Sequence, residues 1–266
     1  MHRTKSRHEI LVAKIDLGKA YDRINLDFLK STLKDFGLLT GTVKLIMFCV
    51  QFFSVSLLWN GLKLPVFSPT RELRQGDPLS PYLFVMCIEK LACLFKKKVS
   101  DKTWLPIHVS KGGPSISHLL FADDVLLFTK ATKAQMRMLV SVLIAFCSAS
   151  GLKVNFDKSR VMCSNNVSRR VKHDLSQISN IKFASNLGMY PGFPLIHGRV
   201  KKVDLNFIME SIQSKLAAWK GRLLNKAGRV TLAKLVLAAI PTYFMQQIWL
   251  PHSVCLGINK MVRNFI

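Results

Sequence analysis

The stretch HLLFADDVLLF, residues 118–128, places two adjacent carboxylates inside a run of apolar residues. Asp is a poor strand former, and an unpaired buried carboxylate is costly unless it becomes protonated. A tight turn between the two apolar halves removes this difficulty, because Asp123 and Asp124 then lie at the tip of a hairpin. The stretch therefore predicts two short antiparallel strands. Two turn-forming aspartates in water would give the same pattern, so the pair alone leaves its role open.

A third carboxylate of the same kind favours a functional role for this pair over that of simple turn formers. Asp16 ends another apolar strand, LVAKID, in a chain that has only 15 Asp and Glu residues. If this strand lies beside the hairpin, Asp16, Asp123 and Asp124 meet at one end of a sheet and repel one another unless a cation lies between them. Carboxylate oxygens favour Mg²⁺ or Mn²⁺, and two such ions serve phosphoryl transfer. The three acids are therefore the predicted metal ligands.

The charge of the chain indicates a polyanionic partner. There are 39 Lys and Arg residues against those 15 acids, a formal net charge of +24. Nucleic acid is the usual partner of such a chain, although a solubilising surface or an anionic membrane would also fit. Strand-borne acids inside a basic protein together favour a metal-dependent polymerase or nuclease.

Composition places the chain among globular intracellular proteins. Hydrophobic residues make up 49% of the sequence. The six cysteines form no CxxC pair and no zinc-like spacing, which is typical of reduced, mostly buried thiols. The most apolar stretch, residues 45–59, is short for a membrane span and is interrupted by polar residues, so no membrane partner is expected.

Periodicity predicts an α+β core followed by a helical, basic region. Asp77 is expected to cap the helix that follows it, and Pro241 to end a helix. The predicted elements are a strand over 9–17, a helix over 24–38, a hairpin over 55–67 with Asn60-Gly61 at its turn, a helix over 76–98, the 118–128 hairpin, a helix over 133–149, a strand-like segment over 151–162, a turn-rich divider at 187–195, and helices with one apolar stripe at Ile208, Ile212, Leu216, Trp219 and Leu223 and a second at Leu232, Leu235, Val236 and Ala239.

Four blocks carry a resemblance to a known family. They are KIDLGKAYDRI (14–24), LRQGDPLSPYLF (73–84), HLLFADDVLLF (118–128) and GLKVNFDKS (151–159). In order and spacing they resemble reverse transcriptases, most closely those of plant non-LTR (LINE-type) retrotransposons, and the segments 187–195 and 217–246 match as well. The resemblance implies a polymerase palm, an antiparallel sheet packed on helices, over residues 1–195, and an incomplete helical thumb over 196–266.

The resemblance also implies roles for single residues. Asp16 and Asp123 would be the principal metal ligands, with Asp124 beside them, and backbone amides from Leu17 onward would receive the triphosphate. Tyr21 would pack under the sugar of the incoming nucleotide and disfavour a 2′-hydroxyl; its alternative is a core aromatic residue. Lys158 would protonate the departing pyrophosphate; its alternative is an ordinary surface lysine.

Further residues would contact the nucleotide or the nucleic acid. Gln75 and Gly76 match the loop that contacts nucleotide and template. Phosphate contacts would come from basic residues, which on apolar-striped helices could equally be solvated. These residues are Arg74, Lys215, Lys220, Arg222, Lys226 and Arg229.

The implied reaction and partners follow from the family. A primer 3′-hydroxyl would attack a dNTP on an RNA template, using two Mg²⁺ or Mn²⁺ ions. The expected partners are an RNA template, a DNA primer and their duplex, and the expected location is the nucleus or a ribonucleoprotein particle. The sequence does not indicate an oligomeric state.

The chain also departs from the family pattern. Only fifteen residues precede Asp16, so most of the fingers region is expected to be missing, and the sequence stops within the thumb-like part. Glu72 stands where the family pattern has Gly. A truncated, less active retrotransposon fragment is expected, and a catalytically silent nucleic-acid-binding remnant is the alternative. A splicing maturase ranks last, because no appended RNA-binding segment is found in this sequence.

Overall fold

The computed structural model describes residues 9–52, 56–66, 72–110, 112–190, 193–195, 202–218, 224–237, 239–246 and 248–266. The chain divides into two compact units, one ending at Leu187 and the other beginning at Gly188. This division falls at the start of the turn-rich segment 187–195, eight residues before the predicted boundary. The assignment of the units as palm and thumb stays a prediction.

A five-stranded sheet forms the centre of the first unit, in the order β6-β7-β1-β8-β9. The pairs β6–β7, β7–β1 and β1–β8 are antiparallel. The short β9 pairs in parallel with β8. The strands of this unit are β1 (Ile10–Asp16), β2 (Leu58–Trp59), β3 (Leu62–Lys63), β4 (Ile107–His108), β5 (Ser115–Ile116), β6 (His118–Phe121), β7 (Asp124–Lys130), β8 (Arg160–Cys163) and β9 (Lys182–Phe183).

Helices cover one face of this sheet. Alternate residues of β1, namely Leu11, Ala13 and Ile15, point into a core that also holds Val125 and Leu127 of β7. Apolar residues of the helices complete this core, and the longest helix, α4, contributes Phe84, Leu91 and Phe95. The helices are α1 (Ala20–Arg23), α2 (Leu26–Asp35), α3 (Thr40–Gln51), α4 (Ser80–Ser100), α5 (Lys133–Ser150) and α6 (Arg169–Ser179).

Most predicted elements of this unit are confirmed, and the predicted α+β class with them. The Asn60-Gly61 hairpin forms between β2 and β3. The helix predicted from residue 76 begins only at Ser80, because Asp77 and Pro78 form a turn first. Within 151–162 only residues from Arg160 onward form a strand, and Val154 makes an isolated bridge.

The second unit is helical around its own small core. Ile208 and Ile212 are both fully buried, as their stripe predicts, and they pack with Leu237, Phe244 and Ile258. The elements are a 3₁₀ turn (Lys202–Leu205), α7 (Asn206–Ala218), α8 (Lys226–Leu232), a π turn (Ala233–Leu237), α9 (Ala239–Met245) and α10 (His252–Phe265). Trp219 and Leu223 of the predicted stripe lie outside the described residues.

The second predicted stripe has the wrong phase. Leu235 is 72% exposed, whereas Ala233 and Leu237 are buried. The buried residues Ala233, Leu237, Pro241 and Phe244 are still spaced by three or four residues, so the buried face of the helices lies on a different side from the predicted stripe. Pro241 does not end a helix either, because it is the third residue of α9, where a missing amide hydrogen costs little. Among the described residues, no helix has the length and hydropathy needed to cross a membrane.

Candidate active site

The register between β1 and β7 places two of the three acids opposite each other. Asp16 is the cross-strand partner of Asp124, at the last position of β1 and the first of β7. Residues directly opposite in an antiparallel pair project to the same face, with Cβ atoms about 4.5–5.5 Å apart. This face is the one turned away from the helical core, because Ile15 and Val125 point into that core. The two carboxylates therefore share one end of the sheet.

Asp123 lies beside them in the turn that joins β6 to β7. Phe121 pairs with Asp124, so the hairpin closes through only two residues, Ala122 and Asp123. Ala122 has a φ of +50°, as the first loop residue of such tight hairpins requires. A non-glycine residue at positive φ costs free energy, and the sheet on either side maintains it. Asp123 is exposed at the tip, as the sequence predicts.

The segment 153–159 fixes the end of β1. The amide of Asp16 donates to Ser159 Oγ at 3.1 Å, and the Asp16 carbonyl accepts from the amide of Asn155 at 2.8 Å. The Ser159 hydroxyl, which is fully buried, donates in turn to the Asn155 carbonyl at 2.7 Å. Lys158 belongs to the same turn and is exposed. Its chain position next to Ser159 thus brings it to the Asp16 end of the sheet.

Leu17 and Gly18, which follow Asp16, are also engaged by this segment. Leu17 is buried and bridges to Val154, and the amide of Gly18 donates to the Lys153 carbonyl at 3.0 Å. The side chain of Leu17 therefore belongs to the core. The Gly18 amide already has an acceptor within the protein, so triphosphate binding by backbone amides after Asp16 stays a prediction.

Tyr21 on α1 packs against the core of the first unit. Its ring stacks on that of buried Phe84, with centroids 4.6 Å apart and planes 16° from parallel. Burial and, to a lesser extent, the Asp123 carboxylate raise the pKa of the Tyr21 hydroxyl. Tyr21 is thus a half-buried core aromatic residue whose hydroxyl is affected by the charge of Asp123.

The segment with Gln75 and Gly76 is hydrogen-bonded to α1. The amide of Leu73 donates to the Tyr21 carbonyl at 2.9 Å, and Gln75 Nε2 donates to Asp22 Oδ1 at 2.9 Å. Gly76 is exposed and has a φ of +87°, a conformation that favours glycine. The residues predicted to contact the nucleotide therefore come together from two distant blocks. The predicted cap at Asp77 is wrong in position, because α4 begins later and its N-cap residue is Leu79. Asp77 Oδ1 instead accepts from the amide of Leu79 at 2.8 Å, before the first turn of the helix.

Sequence reasoning missed Lys14. Its Nζ lies 3.1 Å from Asp124 Oδ1, and the two side chains are 16% and 32% exposed. Lys14 precedes Asp16 by two residues and so projects to the same face of β1. This alternation is the signal that could have found it. Asp22 and Phe84 were also not predicted to have a site role, and nothing in the local pattern indicates their distant partners.

The predicted phosphate-binding residues have different environments. Arg74, Lys215 and Lys226 are exposed, the latter two in the second unit. The Arg229 guanidinium donates to the carbonyls of Leu224 and Phe265, at 3.2 and 3.4 Å, and so links α8 to the end of α10. Lys220 and Arg222 lie outside the described residues. Contact with phosphates stays a prediction for all of these residues.

The donor set suits a hard divalent cation. Within the parts of the chain that the structure describes, no three His, Cys, Asp or Glu side chains are arranged as a metal site. The groups at the sheet end are nevertheless carboxylates, and Mg²⁺ prefers oxygen ligands, commonly one or two carboxylates together with water and phosphate oxygens. The residues present therefore fit a hard divalent metal ion.

An antiparallel sheet with helices on one face and strand-end carboxylates on the other has the architecture of a polymerase palm. The sequence profile of the family described as reverse transcriptase (RNA-dependent DNA polymerase) matches residues 1–206. The chain belongs to this reverse transcriptase family.

Two individual relatives are similar to the chain in sequence, and one solved structure is similar to it in fold. The chain is 29% identical over 157 residues to the retrovirus-related Pol polyprotein of the type-2 retrotransposable element R2DM of Drosophila melanogaster. The matched region covers 59% of this chain and 14% of that protein. It is 46% identical over 75 residues to an uncharacterised mitochondrial protein of Arabidopsis thaliana, covering 28% of this chain and 62% of that one. The structure of telomerase from Candida tropicalis in complex with a telomeric RNA fragment has a similar fold, with a TM-score of 0.51 at 13% identity, over 92% of this chain and 40% of that one. The chain thus spans less than two thirds of each of these proteins.

Glu72 has a backbone conformation that favours glycine, with a φ of +98°. This value lies beyond the small left-handed region that other residues visit, so relief of strain should outweigh the entropy lost by glycine. Glu72→Gly is expected to raise the free energy of unfolding by about 1 kcal/mol, measured by urea denaturation. Lys102→Gly is the matched control, because Lys102 at φ +56° lies inside the left-handed region and should change little. An unchanged or lower urea midpoint for Glu72→Gly would contradict the assignment of strain.

Proposed function

We propose that this chain is the polymerase domain of a non-LTR retrotransposon reverse transcriptase, which extends a DNA primer on an RNA template. The observation that carries the proposal is the β1–β7 register, which places Asp16 opposite Asp124 with Asp123 in the adjoining turn. The R2DM relative supports the type of element, and the Arabidopsis relative supports an origin in plants. An intracellular site of action, in the nucleus or a ribonucleoprotein particle, is part of the proposal.

The chemistry divides between bound cations and the protein. Two Mg²⁺ or Mn²⁺ ions held by Asp16 and Asp123, with Asp124 beside them, would activate the attacking 3′-hydroxyl and stabilise charge on the phosphates. Tyr21, whose hydroxyl is affected by the charge of Asp123, would fill the space that a ribose 2′-hydroxyl needs. Lys158, exposed at the Asp16 end of the sheet, would give a proton to the departing pyrophosphate.

The loop after Glu72 would bind the nucleotide and the template. Gln75 is held by Asp22, so its side chain starts from a fixed position. Gly76 has no side chain that would keep a base or sugar from the backbone. Arg74 and the basic residues of the second unit would hold the phosphate backbone without reading its sequence.

Primer extension by the purified chain tests the proposal. Wild type should add dNTPs to a DNA primer annealed to RNA in the presence of Mg²⁺ or Mn²⁺. Asp123→Asn should abolish this incorporation, because an amide does not supply the negative charge that the cations need. Asp101→Asn, an exposed aspartate after α4, is the control and should match wild type. No incorporation under any of these conditions would exclude an active polymerase.

A silent nucleic-acid-binding remnant is the second candidate, and the net charge of +24 favours it. Such a remnant would bind RNA–DNA duplex in a salt-dependent way without synthesising DNA. Its affinity for the duplex would not change when Asp16, Asp123 and Asp124 are all replaced by Asn. Loss of synthesis by Asp123→Asn from an active wild type would instead exclude it.

A further inference from the structure

Lys14 forms an ion pair with Asp124, one of the three carboxylates at the acidic end of the sheet. Lys14 Nζ lies 3.1 Å from Asp124 Oδ1 across the β1–β7 pair. Lys14 pairs directly with Leu126, and Asp16 pairs directly with Asp124, so the ion pair runs diagonally over one face. Both side chains are shielded in part, because Val12 and Leu126, which share this face, are buried.

Strand β8 restricts the direction in which the Lys14 side chain can point. On β8 the residue opposite Lys14 is Arg160, which has the same charge. The Arg160 guanidinium donates to the carbonyls of Asp157 and Ser159, which keeps it on the β8 side. Like charges repel, so the Lys14 ammonium is favoured on the β7 side, where Asp124 lies.

Without a positive charge, Asp16 and Asp124 would destabilise the pairing of β1 with β7. Carboxylates directly opposite on adjacent strands repel each other, and Asp123 adds a third charge one residue away. Lys14 supplies an opposite charge on this face. Its Nζ contacts Asp124 Oδ1, so it offsets the charge of that carboxylate.

We propose that Lys14 is a positioning residue that holds Asp124 as its ion-pair partner, so that Asp16 and Asp123 are the carboxylates that bind the cations. This inference rests on the proposed function, since it assigns roles within the same acidic site. It gives a physical reason for different roles of two adjacent aspartates: Asp123 is a cation ligand, and Asp124 is the ion-pair partner of Lys14 within the sheet. Lys14 also lowers the affinity of the site for cations, because its positive charge repels any cation bound near Asp124.

A double-mutant cycle in Mn²⁺ affinity tests this assignment. Binding is measured on the whole chain by electron paramagnetic resonance of free Mn²⁺, without nucleotide or nucleic acid. Asp123→Asn should weaken binding by about thirtyfold or more, whereas Asp124→Asn should change the Kd by less than about threefold. Lys14→Gln should tighten binding by about tenfold, because it removes an opposing charge and frees Asp124. Asp124→Asn on the Lys14→Gln background should reverse that gain.

The controls separate this proposal from general effects of charge and folding. Lys130→Gln removes a lysine from the same face at the far end of β7 and should leave the Kd for Mn²⁺ unchanged within about twofold. Circular dichroism and urea unfolding verify that each variant folds. The same unfolding cycle over Lys14 and Asp124 should show a favourable coupling between the two residues.

The possible failures point to different conclusions. If Asp124→Asn weakens Mn²⁺ binding as much as Asp123→Asn, or if Lys14→Gln leaves it unchanged, the assignment of Lys14 is wrong while the metal site stands. If folded wild type neither binds Mn²⁺ nor extends a primer, the proposed function fails and the division of cation ligands fails with it. If it extends a primer but binds no Mn²⁺ alone, the proposed function stands and the division of cation ligands is wrong. In either case the unfolding cycle still decides whether Lys14 and Asp124 stabilise each other.

Discussion

Asp16→Asn is expected to lower the rate of primer extension by at least about a thousandfold while the protein stays as stable as wild type or becomes slightly more stable. The amide keeps the shape of the side chain but loses the charge that a cation requires. It also removes one of two like charges that lie directly opposite each other on β1 and β7. Relief of that repulsion is worth about 0.2–1 kcal/mol. Activity is measured by single-nucleotide incorporation, and stability by urea denaturation.

Asp16→Glu separates charge from position. The longer side chain keeps the charge, and therefore the repulsion from Asp124, but moves the carboxylate by one methylene. We expect a folded protein of wild-type stability with partial activity, between wild type and Asp16→Asn. Retention of more than about a tenth of wild-type activity by Asp16→Asn would contradict a ligand role, since a directly bound cation contributes several kcal/mol to such a reaction. A large loss of stability would instead assign Asp16 to the fold.

The unfavourable position of these acids made part of the acidic site predictable from the sequence. Asp residues are unfavourable in strands, so their presence at two strand ends indicated a use other than folding. The hairpin around Asp123 was predictable for a related reason, because two apolar runs separated by turn-forming residues have few other solutions. The proximity of Asp16 to that hairpin required the resemblance, since no local pattern determines which strands become neighbours.

Other features depended on contacts that the sequence does not encode locally. Lys14 looked like an ordinary residue on the less buried face of a strand, and only the β1–β7 register brings it to Asp124. The contact between Asp22 and Gln75 joins positions 53 residues apart. In the second unit, Ala233 and Leu237 are buried in place of the predicted stripe, because the apolar residues there permit more than one helical phase. Hydrophobic periodicity predicts that a helix forms better than it predicts which of two apolar faces is buried.

Gly151 ends α5 and joins the core to α1. It adopts a φ of +79°, and its amide donates to the Cys147 carbonyl at 3.0 Å. A Cβ at this position would lie 2.6 Å from the Arg23 carbonyl oxygen, which is backbone and cannot rotate away. The preceding residue, Ser150, accepts the Asn25 amide at 2.9 Å, so this close approach is fixed on both sides. The glycine that opens the block GLKVNFDKS therefore has both a conformational and a steric reason.

Gly151→Ala is accordingly expected to lower the free energy of unfolding by about 2–4 kcal/mol, of which about 1 kcal/mol is the cost of positive φ and the rest is the clash. Gly37→Ala is the matched control, because Gly37 also follows a helix at φ +80° but a Cβ there meets nothing within 4 Å. The Gly37→Ala variant should lose only about 1 kcal/mol of unfolding free energy, since its positive φ is unfavourable but its Cβ meets no other atom. Both variants are compared by urea denaturation followed by circular dichroism. Equal losses would show that the Arg23 carbonyl moves freely. A larger loss for Gly151→Ala would show that the backbone of α1, next to Tyr21 and Asp22, is held rigidly by the end of α5.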